Sequence, residues 1–274
     1  MTLGLLLRRR GLKATVLEAG HYPRHRVCGE FISGRGVALL RQLKIFETEP
    51  GREAATVKFV VEDRASRVLR LPEPALCLSR HELDAALAHR FQAEGGHLRT
   101  GVRWSESFAQ EGVVRATGRR LRRDGSGLVG LKMHALDLRL EAGLEVHFSR
   151  AGYAGICQLR DGAANVCGLF NGSSIPPGQR AHPAGAFEAI AGSRLAGATI
   201  KPDTFCSVAG VGLELPQWRN TTEFSLGDSI SVIPPLTGNG MSLAFESAFL
   251  AVQPLEEYAR GRKTWHESSE SFSH

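Results

Sequence analysis

The residues best arranged to do chemistry fall in one run, GDSISVIPPLTGNGMSLAFESAFLA, from Gly227 to Ala251. A short apolar strand ends at an acid, Asp228. Pro234 and Pro235 then stiffen the crossing, and Gly238, Asn239, Gly240 and Met241 lead into an apolar helix. Glycines let the backbone approach a ligand closely, and the first N–H groups and dipole of a helix stabilise an electron-rich carbonyl or a reduced anionic ring. A carboxylate beside that loop accepts hydrogen bonds from a polyol chain. The pattern suits a loop shaped around a bound ring system; the other reading is a plain strand-to-helix turn, which Pro and Gly also punctuate.

Other elements must hold that loop in place. Leu3 to Arg10 reads as the end of a helix with a basic last turn and a stop at Gly11, and KATVLEAG reads as a strand closing on Glu18. Helix, glycine, strand and acid make half of a βαβ nucleotide unit, whose acid accepts hydrogen bonds from an adenosine ribose. Its glycine fingerprint belongs about 20 residues earlier, and counting back from Glu18 passes the front of the chain. Val57 to Leu71 alternates as a hairpin around EDRAS. LSRHELDAALAHRFQAEGGHLRTGVRW is a second helix-to-strand unit, with Leu83, Ala86, Leu87 and Phe91 at helical spacing and Gly95 and Gly96 at its end. The runs LVGLKMHALDLRL, LEVHF, YAGICQL and ANVCGLF then follow without long helices between them, which predicts an antiparallel sheet. TEFSLGD returns to a strand, and Met241, Ala244, Phe245, Ala248, Phe249 and Val252 mark one helix face.

The fold class expected is therefore α/β (α+β). A Rossmann-like dinucleotide domain, lacking its first strand and glycine loop, would comprise residues 1–55, 75–130 and 215–265. An antiparallel-sheet substrate domain would comprise 56–74 and 131–214, with 266–274 a frayed polar tail.

Bulk properties narrow the partners. The 274 residues carry a net charge of +6, from 34 Lys and Arg against 28 acids, partly in the clusters LRRR and GRRLRR. No aromatic stripe or nucleic-acid motif accompanies that charge, so nucleic acid is not expected as a partner, whereas an anionic dinucleotide suits a positive field. Five cysteines without a Cys-x-x-Cys pair suggest neither a disulfide framework nor a zinc site and fit a cytoplasmic location. No membrane span or export signal is visible, which leaves room only for peripheral association. His134 and His147 lack metal-ligand spacing and are expected as surface or core histidines, and Tyr153 and Asn165 are expected on the substrate side or in purely structural strands.

GDSISVIPPLTGNGMSLAFES resembles the flavin-proximal segment of FAD-dependent oxidoreductases of the para-hydroxybenzoate hydroxylase superfamily. PRHRVCGEFIS (Pro23–Ser33) and GYAGICQLRDGAANVCGLF (Gly152–Phe170) resemble its geranylgeranyl-reductase-like branch. The resemblance implies that Glu18 holds the adenosine ribose, Asp228 the ribityl chain, and the backbone of Thr237–Met241, with Pro235, Gly238, Asn239 and Gly240, the pyrimidine edge. Arg80 in SRHELD matches a cofactor contact, and Cys28 and Gly29 match a conformationally sensitive stretch beside the flavin. It implies FAD as cofactor and NAD(P)H as hydride donor, followed by reduction or monooxygenation of an apolar or aromatic small molecule. No catalytic side chain is assigned. Trp104, Trp218 and Trp265 form no Trp-x-Trp motif, which disfavours a halogenase. Where relatives carry Ala-Asp-Gly this chain has Thr117, and the ribbon between Trp104 and Val113 is short, so the alternative expectation is a truncated, non-catalytic remnant or binding module that does not retain FAD.

Overall fold

The structure is a computed structural model and describes residues 1–62, 64–119, 121–122, 127–174, 183–212, 223–230 and 238–273. Among the described residues the strands form one large sheet and two short parallel ladders. α1 (Thr2–Arg9) leads into β1 (Thr15–Glu18), which pairs in parallel with β6 (His97–Thr100) at the end of α3 (Arg80–Ala93). The helical spacing on α3 puts Leu83, Leu87 and Phe91 in a buried cluster with Leu5 of α1 and with Val37, Leu40 and Leu43 of α2 (Gly34–Leu43). The second ladder joins β7 (Val114–Arg115) to β13 (Phe224–Ser225), again in parallel. Leu3 and Leu7 of α1 pack on that side, against the cluster of Phe224, Leu226 and Leu255. α1 therefore covers both ladders.

Among the described residues the large sheet runs in the order β12 (Thr199–Val211), β8 (Leu128–Leu136), β11 (Ala164–Phe170), β10 (Gly152–Gln158), β9 (Leu144–Ser149), β3 (Arg52–Val61), β5 (Leu69–Cys77) and β2 (Phe31–Ile32), with β4 (Arg64–Ala65) beside β3. Side chains alternate along each strand. On one face Leu131, Met133, Ala135, Ile156, Val166 and Phe170 meet Phe187 and Ile190 of α4 (Pro183–Ala191) in a closed apolar core. The intervening positions, Lys132 and His134 of β8, Asn165 and Cys167 of β11, and Tyr153 and Cys157 of β10, belong to the opposite face. That face carries the candidate site.

Three features depart from the sequence reading. The sheet is not antiparallel throughout, because β3 and β9 run parallel, with Val57 opposite Leu144 and Val61 opposite Phe148. Only a tight hairpin forces antiparallel pairing, and the chain between these strands passes through α3 and β6, so no turn sets their relative direction. β12 was not anticipated. Its register shifts between Lys201 and Cys206, around Pro202, which cannot donate to a ladder, and such a bulge breaks the alternation that would reveal a strand. Residues 266–273, expected to fray, belong to α7 (Trp265–Ser273), which follows α5 (Gly240–Leu250) and α6 (Val252–Ala259). Trp265 is buried and the Phe272 ring stacks on Phe224 with centroids 4.6 Å apart, so two aromatics dock a helix whose remaining residues are mostly polar. No helix among the described residues is long and apolar enough to cross a membrane.

The core face also holds a buried carboxylate, Glu145 on β9. It accepts from Arg194 Nε and Nη2, both at 2.7 Å, from the Glu141 N–H at 2.7 Å, and lies 3.3 Å from His147 Nε2. Burial alone would raise its pKa. The hydrogen bonds from His147 and Arg194 outweigh that and bring it from 4.5 to about 2. A carboxylate with a depressed folded-state pKa adds stability above its unfolded value and loses it as pH falls toward the folded one. The wild-type urea midpoint should therefore drop between pH 4.5 and 2, and Arg194→Ala should flatten that slope. An equal slope in both proteins would show that the ion pair does not form in solution.

Candidate functional site

The segment from His25 to Phe31 lies across the open face of the sheet and is held by side chains from three strands, β8, β10 and β11. Asn165 Nδ2 donates to the Cys28 carbonyl at 3.1 Å, and the Cys157 thiol donates to the Gly29 carbonyl at 3.4 Å. Glu30, fully buried and in the left-handed region at φ 51°, accepts from His134 Nε2 at 2.7 Å and pairs with Lys132 Nζ at 3.4 Å. It also accepts from the Arg80 N–H at 2.9 Å. Burial would push this carboxylate up, but the His134 hydrogen bond and the Lys132 charge hold it below the usual carboxylate range.

Lys132 Nζ donates to His25 Nδ1 at 3.0 Å, which leaves His25 neutral; burial, then Lys132, bring its pKa down to about 4. One donor atom each from His25, Glu30 and His134 lies within 4.8 Å of the others, a metal-like spacing, but the Lys132 ammonium already brings a positive charge against two of the three, His25 and Glu30. A cavity of about 250 Å³ opens beside this cluster, with His25, His81, His134, Ser79, Lys201 and Thr204 in its wall.

Two sequence-predicted residues, Glu18 and Arg80, are joined by a string of ion pairs. Arg80 Nε and Nη2 grip both oxygens of Asp84 at 2.8 and 2.7 Å, a bidentate geometry that keeps the guanidinium charged despite burial. Arg26 reaches Asp84 at 3.4 Å and Glu18 at 3.3 Å. Glu18 also accepts from the Gly20 N–H at 3.0 Å, Tyr22 Oη at 2.9 Å and Arg24 Nη2 at 2.6 Å. Burial would raise its pKa, but Arg24, Gly20 and Tyr22 hold it low. With four donors on two oxygens, the acceptor positions of Glu18 are filled, and a ribose hydroxyl would have to displace one of them.

The glycine loop enters α5 beside this cluster. Gly238 has φ 67°, and a Cβ there would come within 2.8 Å of Phe31 Cδ1, so the residue after Glu30 backs the loop directly. Ser33 and Ser242 hydroxyls lie 2.6 Å apart and tie the same two pieces together. Asn239 caps α5 without a side-chain hydrogen bond, Gly240 opens the helix, and Met241 packs toward the cluster of Leu5 and Phe245. Asp228 sits in a single 3-10 turn after β13, its Oδ1 4.0 Å from where a Cβ of Gly240 would be. Burial raises its pKa against the opposing charges of Arg119, 3.7 Å away, and Arg80. Pro235 and Thr237 lie outside the described residues.

Cys28 belongs to the same neighbourhood. Its sulfur accepts from the Glu30 N–H at 3.4 Å, and burial raises its pKa despite nearby Arg80, so it remains a thiol. The structure thus brings Cys28, Gly29, Arg80, Asp228 and the Gly238–Met241 entrance into one region, with Glu18 linked to it through Arg26 and Asp84. Tyr153 and Asn165 share its sheet face, and Asn165 Oδ1 is buried without a hydrogen-bond partner among the described residues. Glu30, Lys132 and His25 were not singled out from the sequence. The one available signal was an acid immediately after Cys28 and Gly29 in a stretch otherwise apolar or basic.

No protein-family model and no curated protein sequence matches the chain. Solved structures do. Pseudomonas aeruginosa PqsL, a probable FAD-dependent monooxygenase, is 16% identical with a TM-score of 0.72, over 99% of this chain and 87% of that one. The flavin-dependent brominase Bmp2 is 14% identical with a TM-score of 0.75, over 98% and 79%. The myxobacterial chondrochloren halogenase CndH, an FAD-dependent halogenase, is 18% identical with a TM-score of 0.74, over 99% and 75%. The fold of this chain is the one shared by those flavin-dependent monooxygenases and halogenases.

Proposed function

We propose that the protein is a flavin-dependent oxidoreductase that holds FAD between the α5 entrance, the Cys28–Phe31 segment and the open face of the large sheet. The observation that carries this reading is Gly238: a left-handed glycine at a helix entrance, backed by Phe31 and overlooked by a half-buried carboxylate. That arrangement fits a planar ring whose polar edge meets the first N–H groups of α5 and whose polyol chain meets Asp228. When bound, FAD would supply two-electron redox chemistry, accepting hydride from NAD(P)H and passing electrons to an apolar or aromatic small molecule or to dioxygen.

In this reading the chain's own residues bind and orient. The N–H groups of Gly240 and Met241 offer positive potential to the ring edge. Asp228 accepts from hydroxyls, and Arg80, locked by Asp84, gives a fixed positive charge nearby. The Cys28 thiol and the Tyr153 phenol, both kept protonated by burial, add no charge to that sheet face. Apolar or aromatic substrates suit such uncharged groups, and PqsL has been solved with 2-aminobenzoylacetate. The segments Pro23–Ser33 and Gly152–Phe170 favour the geranylgeranyl-reductase-like branch over halogenation. The filled acceptor positions of Glu18 favour a second reading, a binding module that does not retain FAD.

Gel filtration after incubation with FAD separates the two. The expected result is a yellow protein with visible flavin absorbance that survives the column. A folded but colourless protein at saturating FAD would overturn the oxidoreductase reading in favour of the binding module.

A further inference from the structure

We propose that Glu30 is a positioning residue of the cofactor cradle: its carboxylate sets the geometry of the Cys28–Phe31 turn and, through that turn, of the α5 entrance and the α3 N-terminus. This inference rests on the flavin reading above.

Glu30 is an unusual choice for a residue that only fills space. Its φ of 51° belongs to a region that a long side chain rarely adopts, and it is fully buried with a carboxylate that must be compensated. The compensation is Lys132, itself fully buried. Buried ion pairs can often be replaced by apolar residues of similar volume without loss of stability, so stability alone does not call for one here. Direction is what the pair supplies.

Each contact of Glu30 ends on a different part of the candidate site. Its N–H donates to the Cys28 sulfur, and its carbonyl accepts from the Leu78 N–H at 2.9 Å. Oε1 takes the Arg80 N–H at 2.9 Å and lies 3.4 Å from Ser79 Oγ, which fixes the first turn of α3. Oε2 takes His134 Nε2 at 2.7 Å, which fixes the turn to the sheet. The next residue, Phe31, is the one that Gly238 must clear. The carboxylate therefore anchors to α3 and to the sheet a turn whose backbone also carries the Cys28 sulfur contact and Phe31, so losing those anchors would loosen the Cys28 contact, the α3 N-terminus and the wall behind Gly238 together.

The test compares wild type, Glu30→Gln and the charge-balanced pair Glu30→Gln with Lys132→Met, reading FAD affinity by fluorescence titration, the visible spectrum of bound flavin, and Tm. Loss of hydrogen bonds to a charged group should weaken FAD binding in Glu30→Gln by roughly tenfold or more and shift the flavin bands. The double variant should recover wild-type Tm while keeping the weakened affinity and the shifted spectrum. It also supplies the reading if Glu30→Gln alone fails to fold. A double variant with wild-type affinity and spectrum would reduce Glu30 to half of a structural ion pair and overturn the inference, with the flavin reading intact. Wild-type protein that takes up no FAD overturns both.

Discussion

Lys132→Met is expected to destabilise the folded chain by roughly 3–5 kcal/mol, because it removes the lysine ammonium that lies 3.4 Å from a fully buried carboxylate. Methionine nearly matches the lysine stem in volume, so little of the loss comes from a cavity. The loss comes from Glu30, itself fully buried and left with His134, the Arg80 N–H and the Ser79 hydroxyl, and from His25, whose Nδ1 loses its donor. The pH dependence identifies the cause. In wild type the Glu30 pKa is held low, so the pair adds stability above the ordinary carboxylate range and loses it on acidification. In the variant the buried carboxyl should prefer its neutral form, its folded pKa should rise above the unfolded one, and the sign reverses: stability is retained at low pH and lost as pH rises. Urea midpoints at pH 7 and pH 5 should thus show the gap between variant and wild type narrowing at the lower pH. A gap that stays constant or widens would mean that the unpaired carboxylate is not the source.

The second large effect is expected at the loop. Gly238→Val should cost about 2–3 kcal/mol locally, combining a left-handed backbone that an L-residue resists with a side chain forced against Phe31. Because the strain falls at the α5 entrance and not in either main core, the far-ultraviolet circular dichroism should stay close to wild type. FAD affinity should fall at least tenfold, since about 1.4 kcal/mol corresponds to a factor of ten. Gly238→Ala should lose less, and adding Phe31→Ala to Gly238→Val should recover the contact part but not the backbone part. Full recovery in that double variant would show that the positive φ is unimportant. Unchanged affinity in Gly238→Val would remove the loop from the cofactor site.

Much of this architecture was legible in the chain because it is written in local periodicity. Leu83, Leu87 and Phe91 repeat at the pitch of a helix and do face one core. Strand-like alternation located β8 to β11, and the glycines before Met241 marked where α5 begins. Direction and partnership were not legible. The parallel pairing of β3 with β9 depends on a path through α3, and α7 exists because Trp265 and Phe272 find Phe224 across the fold. The same holds within the site: Cys28, Gly29, Arg80 and Asp228 could be named from a segment pattern, whereas Glu30 could not. Its meaning comes from His134, 104 residues away, and from Lys132, which in turn reaches His25 across 107. Hydrophobic spacing is a property of neighbours along the chain, so residue order alone conveys it. A buried charge is tolerated only where folding brings an opposite charge to it, so whether Glu30 is a defect or a fixed point was decided by the tertiary structure.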